Sequence, residues 1–443
     1  MVSYTKRLFA GVAAIAALGM GLVGCGSSSG DSSASSNADA SKDSGEVVKI
    51  TYMHRLPDNE GMTTVDSIVD QWNKDHPNIQ VTATKFNGNA SDMIKKLETD
   101  VKSGNAPDLA QVGYAELPEV YTKGMLEDVT QYAEQYKDHF AEGPYNLMQV
   151  GGKYYGLPQD TGPLVYFYNK KAFDELGLAV PGTQEELIAA AKKAAAAGKY
   201  IMSFQADEAG NMLTGLAGAS SNWYTVKDDA WVVDTDTDGS KAVAKVYQEL
   251  LDSKAVATNP RWDPSFDASL QKEELVGTIG AAWEAPLLMQ SIGDSGKGNW
   301  AVAQVGDWFD NDGKTGPDGG SGVAVLKGCE HGKEAMEFLD WFNTQTDALI
   351  SQGLVVATSD TDVKTPDSWK EYYGGQDIMA EFVKANDNMG DFTYIPGFSA
   401  VATAMTEAAS KAASGKGTVA DIFAAAQTTS IDTLKDYGLS IAQ

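Results

Sequence analysis

The sequence predicts an α/β fold divided between two domains. Three observations point to it. From Val47 to Val112 strand-like and helix-like patterns alternate, and from Leu164 onward the alternation resumes. The body from Glu46 to Gln443, almost 400 residues, also exceeds what one hydrophobic core usually spans. Alternating strands and helices of this kind build mostly parallel sheets flanked by helices.

Ahead of the body, Lys6 and Arg7 precede an apolar stretch from Leu8 to Val23. It falls short of the roughly 20 residues that a membrane-spanning helix needs. A basic start, a short apolar middle and small residues at the end predict a signal peptide over residues 1–24. Gly26 to Gly45 is Ser, Gly, Ala and Asp with one Asn and one Lys, and holds no large apolar side chain. Such a segment cannot bury enough surface to fold, and residues 25–45 read as a tether. Its end-to-end distance is on the order of 25 Å.

Within the body, Val47 to Met53 reads as a strand. Val65, Ile68, Val69 and Trp72 recur at i, i+3, i+4 and i+7, the stripe of an amphipathic helix, which His76-Pro77 ends. Ile79 and Val81 begin the next strand. Ser91 is placed to cap a helix carrying Ile94, Leu97 and Val101, broken by Gly104 to Pro107. Asp108 to Val112 completes a βαβαβ unit. Further on, Leu164–Tyr168 and Val276–Trp283 read as strands, as does Gly322–Leu326. Glu185–Ala197, Lys241–Leu251, a segment opening at Pro286, Glu334–Phe342 and Val401–Ala413 read as helices.

The formal charge is −27, and −29 without residues 1–24, which hold Lys6 and Arg7 and no acid. That excludes a nucleic-acid partner, whose phosphates demand Lys and Arg. The two cysteines are Cys25 and Cys329. With Cys25 modified, no disulfide within the chain is possible. Asp234, Asp236, Asp238 and Gly239 mimic the start of a calcium loop, but its twelfth position is Lys245 instead of Glu. A turn capping the next helix fits better, and no metal is expected. There is no HExxH, P-loop, GxGxxG or GxSxG pattern. Neither a cofactor nor a catalytic residue is assigned.

Leu22-Val23-Gly24-Cys25 resembles the lipobox of bacterial lipoproteins, in which the Cys carries the lipid. Ser103-Gly104-Asn105-Ala106-Pro107-Asp108, Tyr155-Gly156-Leu157-Pro158, Tyr166-Phe167-Tyr168-Asn169-Lys170 and Pro181-Gly182-Thr183 with Glu185-Glu186-Leu187 follow in order. Gly277 to Trp283 and Ser414 to Gln427 complete the series. Together they resemble the family 1 extracellular solute-binding proteins of ABC transporters, the group of maltose-binding protein. The resemblance covers nearly the whole body and departs in detail: Gln184 stands where Trp is usual, and small residues occupy Ala400–Ala404 where maltodextrin binders often carry an aromatic.

The resemblance implies a two-lobe, periplasmic-binding-protein-like fold of type II with the ligand in a cleft between lobes. Lobe one would comprise 46–159 plus 323–357, and lobe two 160–322 plus 358–443. The chain would cross near Gln159, Ser321 and Thr358. It further implies an oligosaccharide ligand, permease subunits as partners, a lipid anchor on Cys25 at the extracellular face of the cytoplasmic membrane, and a monomer.

A sugar offers hydroxyls around its edge and an apolar C–H face, so its site needs aromatic planes and fixed polar groups. Ligands lie beyond the carboxyl ends of strands in open parallel sheets. That rule selects His54, Arg55 and Asp58 after the first strand, Tyr114 and Glu116 after the third, and Trp283 and Glu284 after the Val276 strand. Asp160 lies beside the implied hinge. Trp223 and Trp262, with Trp308, sit in Gly-, Pro- and Asp-rich segments and are candidate stacking residues, while Trp72 and Trp341 lie on core stripes. Tyr394 and Phe398 are further aromatic candidates. Two other functions stay open at this point: binding of a non-sugar solute such as a peptide, polyamine or phosphate ester, and a surface glycosidase with paired carboxylates.

Overall fold

The computed structural model describes residues 47–58, 62–359, 363–390 and 392–442. The proposed signal peptide, the lipobox with Cys25 and the tether lie outside the described residues.

The first element is strand β1 (Val48–His54), which pairs in parallel with β2 (Ile79–Lys85) and β3 (Leu109–Gly113). The helix Val65–Asp75 joins β1 to β2, N-capped by Thr64, with Val65, Ile68, Val69 and Trp72 buried as their spacing requires. The helix Ala90–Ser103 joins β2 to β3. Its cap is Asn89, which accepts from the Asp92 N–H, and not Ser91. Asn is as good a cap as Ser and comes first in the chain. Gly104 ends this helix in the left-handed conformation at φ 71°.

The expected mostly parallel sheet stops there. Strands β4 (Gly156–Thr161) and β5 (Leu164–Asn169) follow each other, joined by Gly162-Pro163. Then come β6 (Gly277–Ala281), β7 (Trp300–Ala303), β8 (Ser321–Val325) and β9 (Val355–Val356). One sheet has the order β9-β4-β8-β3-β1-β2, with β8 antiparallel to both β3 and β4. The other has the order β6-β5-β7 and is antiparallel throughout. The mixture arises because β4 leaves the first sheet directly into the second, and β8 and β9 return to the first from the opposite end.

Both sheets send side chains from each face into apolar cores, except toward the β2 edge, where Lys49, Thr51, Thr82 and Thr84 are exposed. In the first, Ile50, Tyr52, Leu109, Val323 and Val325 face the helices Val65–Asp75 and Gly332–Asn343, with Phe338 and Phe342. The alternate positions Met53, Ala110, Val112 and Ala324 face Ile94 and Leu97 of the second helix. In the second, Leu164, Tyr166 and Ile279 join the largest core, while Val165, Phe167, Trp300 and Val302 join another. Strand alternation thus sends neighbouring side chains into different cores. Trp72 is in the core as expected, and Trp341 packs against it.

Candidate functional site

A cavity of about 740 Å³ opens where the two sheets meet. Its wall begins at the carboxyl ends of β1 and β3. Arg55 follows β1, and its backbone N–H donates to Gln111 Oε1 at 2.7 Å. Gln111 in β3 donates in turn to Ser321 Oγ at 3.0 Å. Glu116 turns back on its strand, its N–H donating to Gly113 O at 3.0 Å, and its carboxylate lies over Gly113 where any Cβ would collide with it. Burial raises the Glu116 carboxyl above its ordinary range, and Arg55 pulls it back. Asp160 at the end of β4 accepts from Ser321 N–H at 2.9 Å and Ser321 Oγ at 2.5 Å. Burial nonetheless pushes it up to about 7.

The facing wall comes from four segments. A 3-10 turn at Ala206–Glu208 supplies Asp207 and Glu208, and the helix Ala209–Gly218 supplies Asn211. Trp283 follows β6. Asp318 belongs to the run before β8, where Gly319 and Gly320 take φ 83° and 86°. Only glycine adopts that pair freely, and Gly320 O accepts from Tyr114 N–H. Tyr394 and the helix Phe398–Ala413 close the wall with Phe398, Ser399, Ala402 and Thr403. Burial, then the Asp318 charge, push Glu208 up to about 7.

Behind Trp283 lies a buried ion group. Arg261 pairs with Glu284 and, at 3.4 Å, with Asp318. Its guanidinium sits 5.8 Å from the Trp283 ring and 5.4 Å from the Trp262 ring. Trp283 Nε1 donates to Asp318 O at 2.9 Å, which fixes the indole at the wall.

Four of the expected contacts, Arg55, Glu116, Asp160 and Trp283, therefore come together at one cavity, as do Tyr394 and Phe398. The other six do not line it. His54 is 1% exposed and packs against Tyr52, ring centres 5.6 Å apart. Asp58 accepts from Val65 N–H at 2.9 Å and Gln352 Nε2 at 2.8 Å, and so ties a loop to a helix start. Tyr114 donates its hydroxyl to Asp160 O at 3.0 Å. Trp223 is a core residue, 1% exposed, whose Nε1 donates to Ser240 Oγ; Trp308 is likewise buried, donating to Pro181 O. Trp262 is half-buried against Phe266, and Glu284 is committed to Arg261 and to Ala281 N–H. In each case a protein group has already taken the polar atom or the aromatic face.

Sequence reasoning missed Asn89, Gln111, Asp207, Glu208, Asn211, Asp318 and Gln352. Gln111 was within reach of the strand-end rule, since it lies two residues before the end of β3. Glu208 and Asp318 sit in irregular segments that carry no periodicity. Among the described residues, no group of three or more His, Cys, Asp or Glu side chains is placed to hold a metal ion, and no helix is long and apolar enough to cross a membrane.

Comparison with known proteins agrees with this geometry. The chain is 71% identical to the galacto-N-biose-/lacto-N-biose I-binding protein of an ABC transporter from Bifidobacterium longum, solved with lacto-N-biose. The match covers 90% of this chain and 100% of that one, at a TM-score of 0.89. An ABC-transporter-associated binding protein from Bifidobacterium animalis subsp. lactis, solved with β-1,6-galactobiose, is 25% identical over 90% of this chain and 100% of that one, at 0.74. An arabinooligosaccharide-binding protein of Halalkalibacterium halodurans is 23% identical, the match spanning 62% of each chain. Residues 57–348 match the bacterial extracellular solute-binding proteins, and the chain belongs to that family.

Proposed function

We propose that this protein is the extracellular substrate-binding component of an ABC importer for lacto-N-biose or galacto-N-biose. It holds the sugar in the cavity between the two sheets and delivers it unchanged to a permease. The observation that carries this reading is the 71% identity, across the whole length of the neighbour, to a protein solved with lacto-N-biose. The cavity supports it: Trp283 and Tyr394 supply aromatic planes, and Arg55, Glu116, Asp160 and Asn211 supply polar groups around them. Residues 46–159 plus 323–357 form one lobe and 160–322 plus 358–443 the other, closing about the three crossings. The protein acts as a monomer, anchored by lipid on Cys25.

Tryptophan fluorescence is the direct test, since Trp283 lines the cavity. Titration with lacto-N-biose, galacto-N-biose, lactose and β-1,6-galactobiose should saturate first with the first two, and chromatography should recover each sugar intact. No response to any of the four sinks the sugar reading, and a shortened or cleaved sugar makes the protein a glycosidase. For the anchor, Cys25→Ser should move the protein from the membrane fraction to the medium.

A further inference from the structure

The charge of the cavity wall is one-sided. Five carboxylates line it, those of Glu116, Asp160, Asp207, Glu208 and Asp318, against one guanidinium, that of Arg55. Arg261 stands behind the wall and is committed to Glu284 and Asp318. Three buried polar atoms at the wall have no hydrogen-bond partner among the described residues: the acceptors Glu116 Oε2 and Gln352 Oε1, and one donor, Arg55 Nε, whose charge already acts on Glu116. Gln352 is 2% exposed, and its amide N–H groups already go to Asp58 Oδ1 at 2.8 Å and Thr63 O at 2.6 Å. A buried acceptor without a donor is costly until a ligand brings one. Hydroxyl and amide groups bring donors. An ionised carboxylate or sulfate brings acceptors only, and adds like charge.

Resting on the sugar-binding reading, we propose that the wall is a charge filter. It admits sugars whose substituents are uncharged and rejects the same sugars once a ring carries a carboxylate or sulfate, and Glu208 sets the rejection. The lining acids differ in how far their charge is offset. Asp160 is bonded to Ser321, Asp207 accepts from Arg261 N–H at 2.9 Å, Asp318 is paired with Arg261, and Glu116 faces Arg55. Glu208 has no such bond among the described residues. The charged groups around it are Asp318, Arg261 and Asp207, and the largest of these influences, Asp318, is repulsive. A second anion placed beside Glu208 and Asp318 meets their combined field in a partly desolvated site, where screening by salt is weak.

The test is titration calorimetry on the purified protein at pH 8 and pH 5.5. The ligands are lacto-N-biose and two size-matched counterparts, each oxidised to a carboxylate at C6 of one ring or of the other. At pH 8 both acids should bind at least tenfold more weakly than the parent. That penalty should shrink at least threefold at pH 5.5, where Glu208 and Asp160 are both protonated while a uronic carboxylate stays ionised, and also in Glu208→Gln at pH 8, which removes the Glu208 charge alone. Acids that bind within threefold of the parent overturn the filter. A penalty that Glu208→Gln leaves unchanged also overturns it, because the cause is then shape, a lost hydroxyl or another acid. If Glu208→Gln fails to fold, the pH comparison is made on Asp160→Asn, because Asp160 also stands at about 7 and would otherwise titrate with Glu208. Should lacto-N-biose itself not bind, the ligand assigned above is wrong, and the same pairs are built on whichever neutral disaccharide saturates. Binding confined to carboxylated sugars refutes the filter outright.

Discussion

Arg261→Met should destabilise the protein strongly at neutral and alkaline pH and much less in mild acid. The side chains of Arg261, Glu284 and Asp318 are 1%, 2% and 4% exposed. Removing the cation strands two carboxylates that are almost wholly buried. Breaking a buried pair in this way costs about 3–5 kcal/mol, most of it the uncompensated charge that remains. At about 2.1 cal/mol/K of unfolding entropy per residue, over almost 400 residues, a loss of about 4 kcal/mol lowers Tm by about 5 °C. The sign of the pH effect follows from Asp318. Burial already raises its carboxyl, and Arg261 opposes the rise. A carboxyl raised in the folded state contributes stability that is fully present below its unfolded value and is lost as pH rises through the folded one. Without Arg261 the rise is larger, so the deficit of the variant opens between mild acid and pH 8. Thermal and urea unfolding of both proteins at pH 5 and pH 8 measures it. A loss under about 1 kcal/mol at pH 8, or an equal loss at both pH values, would refute the reasoning. The triple variant Arg261→Met, Glu284→Gln, Asp318→Asn should regain most of the stability, since no charge is left unpaired.

Trp283→Ala should weaken lacto-N-biose binding about thirtyfold, on the order of 2 kcal/mol for a lost aromatic plane, by calorimetry; a change under threefold would put the stacking plane elsewhere, with Tyr394 the first alternative. Asp160 stands at about 7 against an ordinary value of 3.8, so the native protein loses up to about 4 kcal/mol of stability from this group as pH rises from about 4 to above 7. Asp160→Asn keeps an acceptor for Ser321 and should flatten that part of the stability–pH curve; an unchanged curve would show that Asp160 is ionised throughout. Gly156→Ala and Gly113→Ala should separate folding from binding. A Cβ on Gly156 strikes the backbone of Val323 and Ala324 and should cost about 2–3 kcal/mol in urea unfolding. One on Gly113 meets the movable tip of Glu116 and should leave stability within about 1 kcal/mol while weakening sugar binding about tenfold.

Much of the fold was legible because burial imposes a period on the chain. Val65, Ile68, Val69 and Trp72 announced the first helix, and the apolar runs at Val47–Met53 and Asp108–Val112 announced β1 and β3. Strand direction was not legible. Whether β8 runs with or against β3 depends on where the chain enters, and no local pattern records that. The site was legible where a strand end and an aromatic coincide, as at Trp283, or where a polar residue follows a strand directly, as at Arg55. It failed for Trp223 and Trp308, because a Gly- and Asp-rich segment can dock a tryptophan into the core as readily as expose it. Asp318 was passed over because the glycines that follow it suggested only a hinge. Those same glycines let the backbone approach Tyr114 closely enough to place the carboxylate at the wall.

The position of β8 sets when the molecule can fold. It fills the slot between β3 and β4, with Ser321 lying 161 positions downstream of its partner Asp160. While the chain is being made, β3 and β4 each keep an open edge until residue 325 has emerged, and the core around Leu109 and Leu157 lacks Val323 and Val325. Closing so long a loop is slow. The nascent polypeptide therefore stays loose through roughly its first three-quarters, with its two central strand edges available to chaperones or to self-association. Truncation before Ser321 should yield an insoluble fragment instead of a smaller folded domain, so that synthesis through β8 is a precondition for any native core around the first sheet.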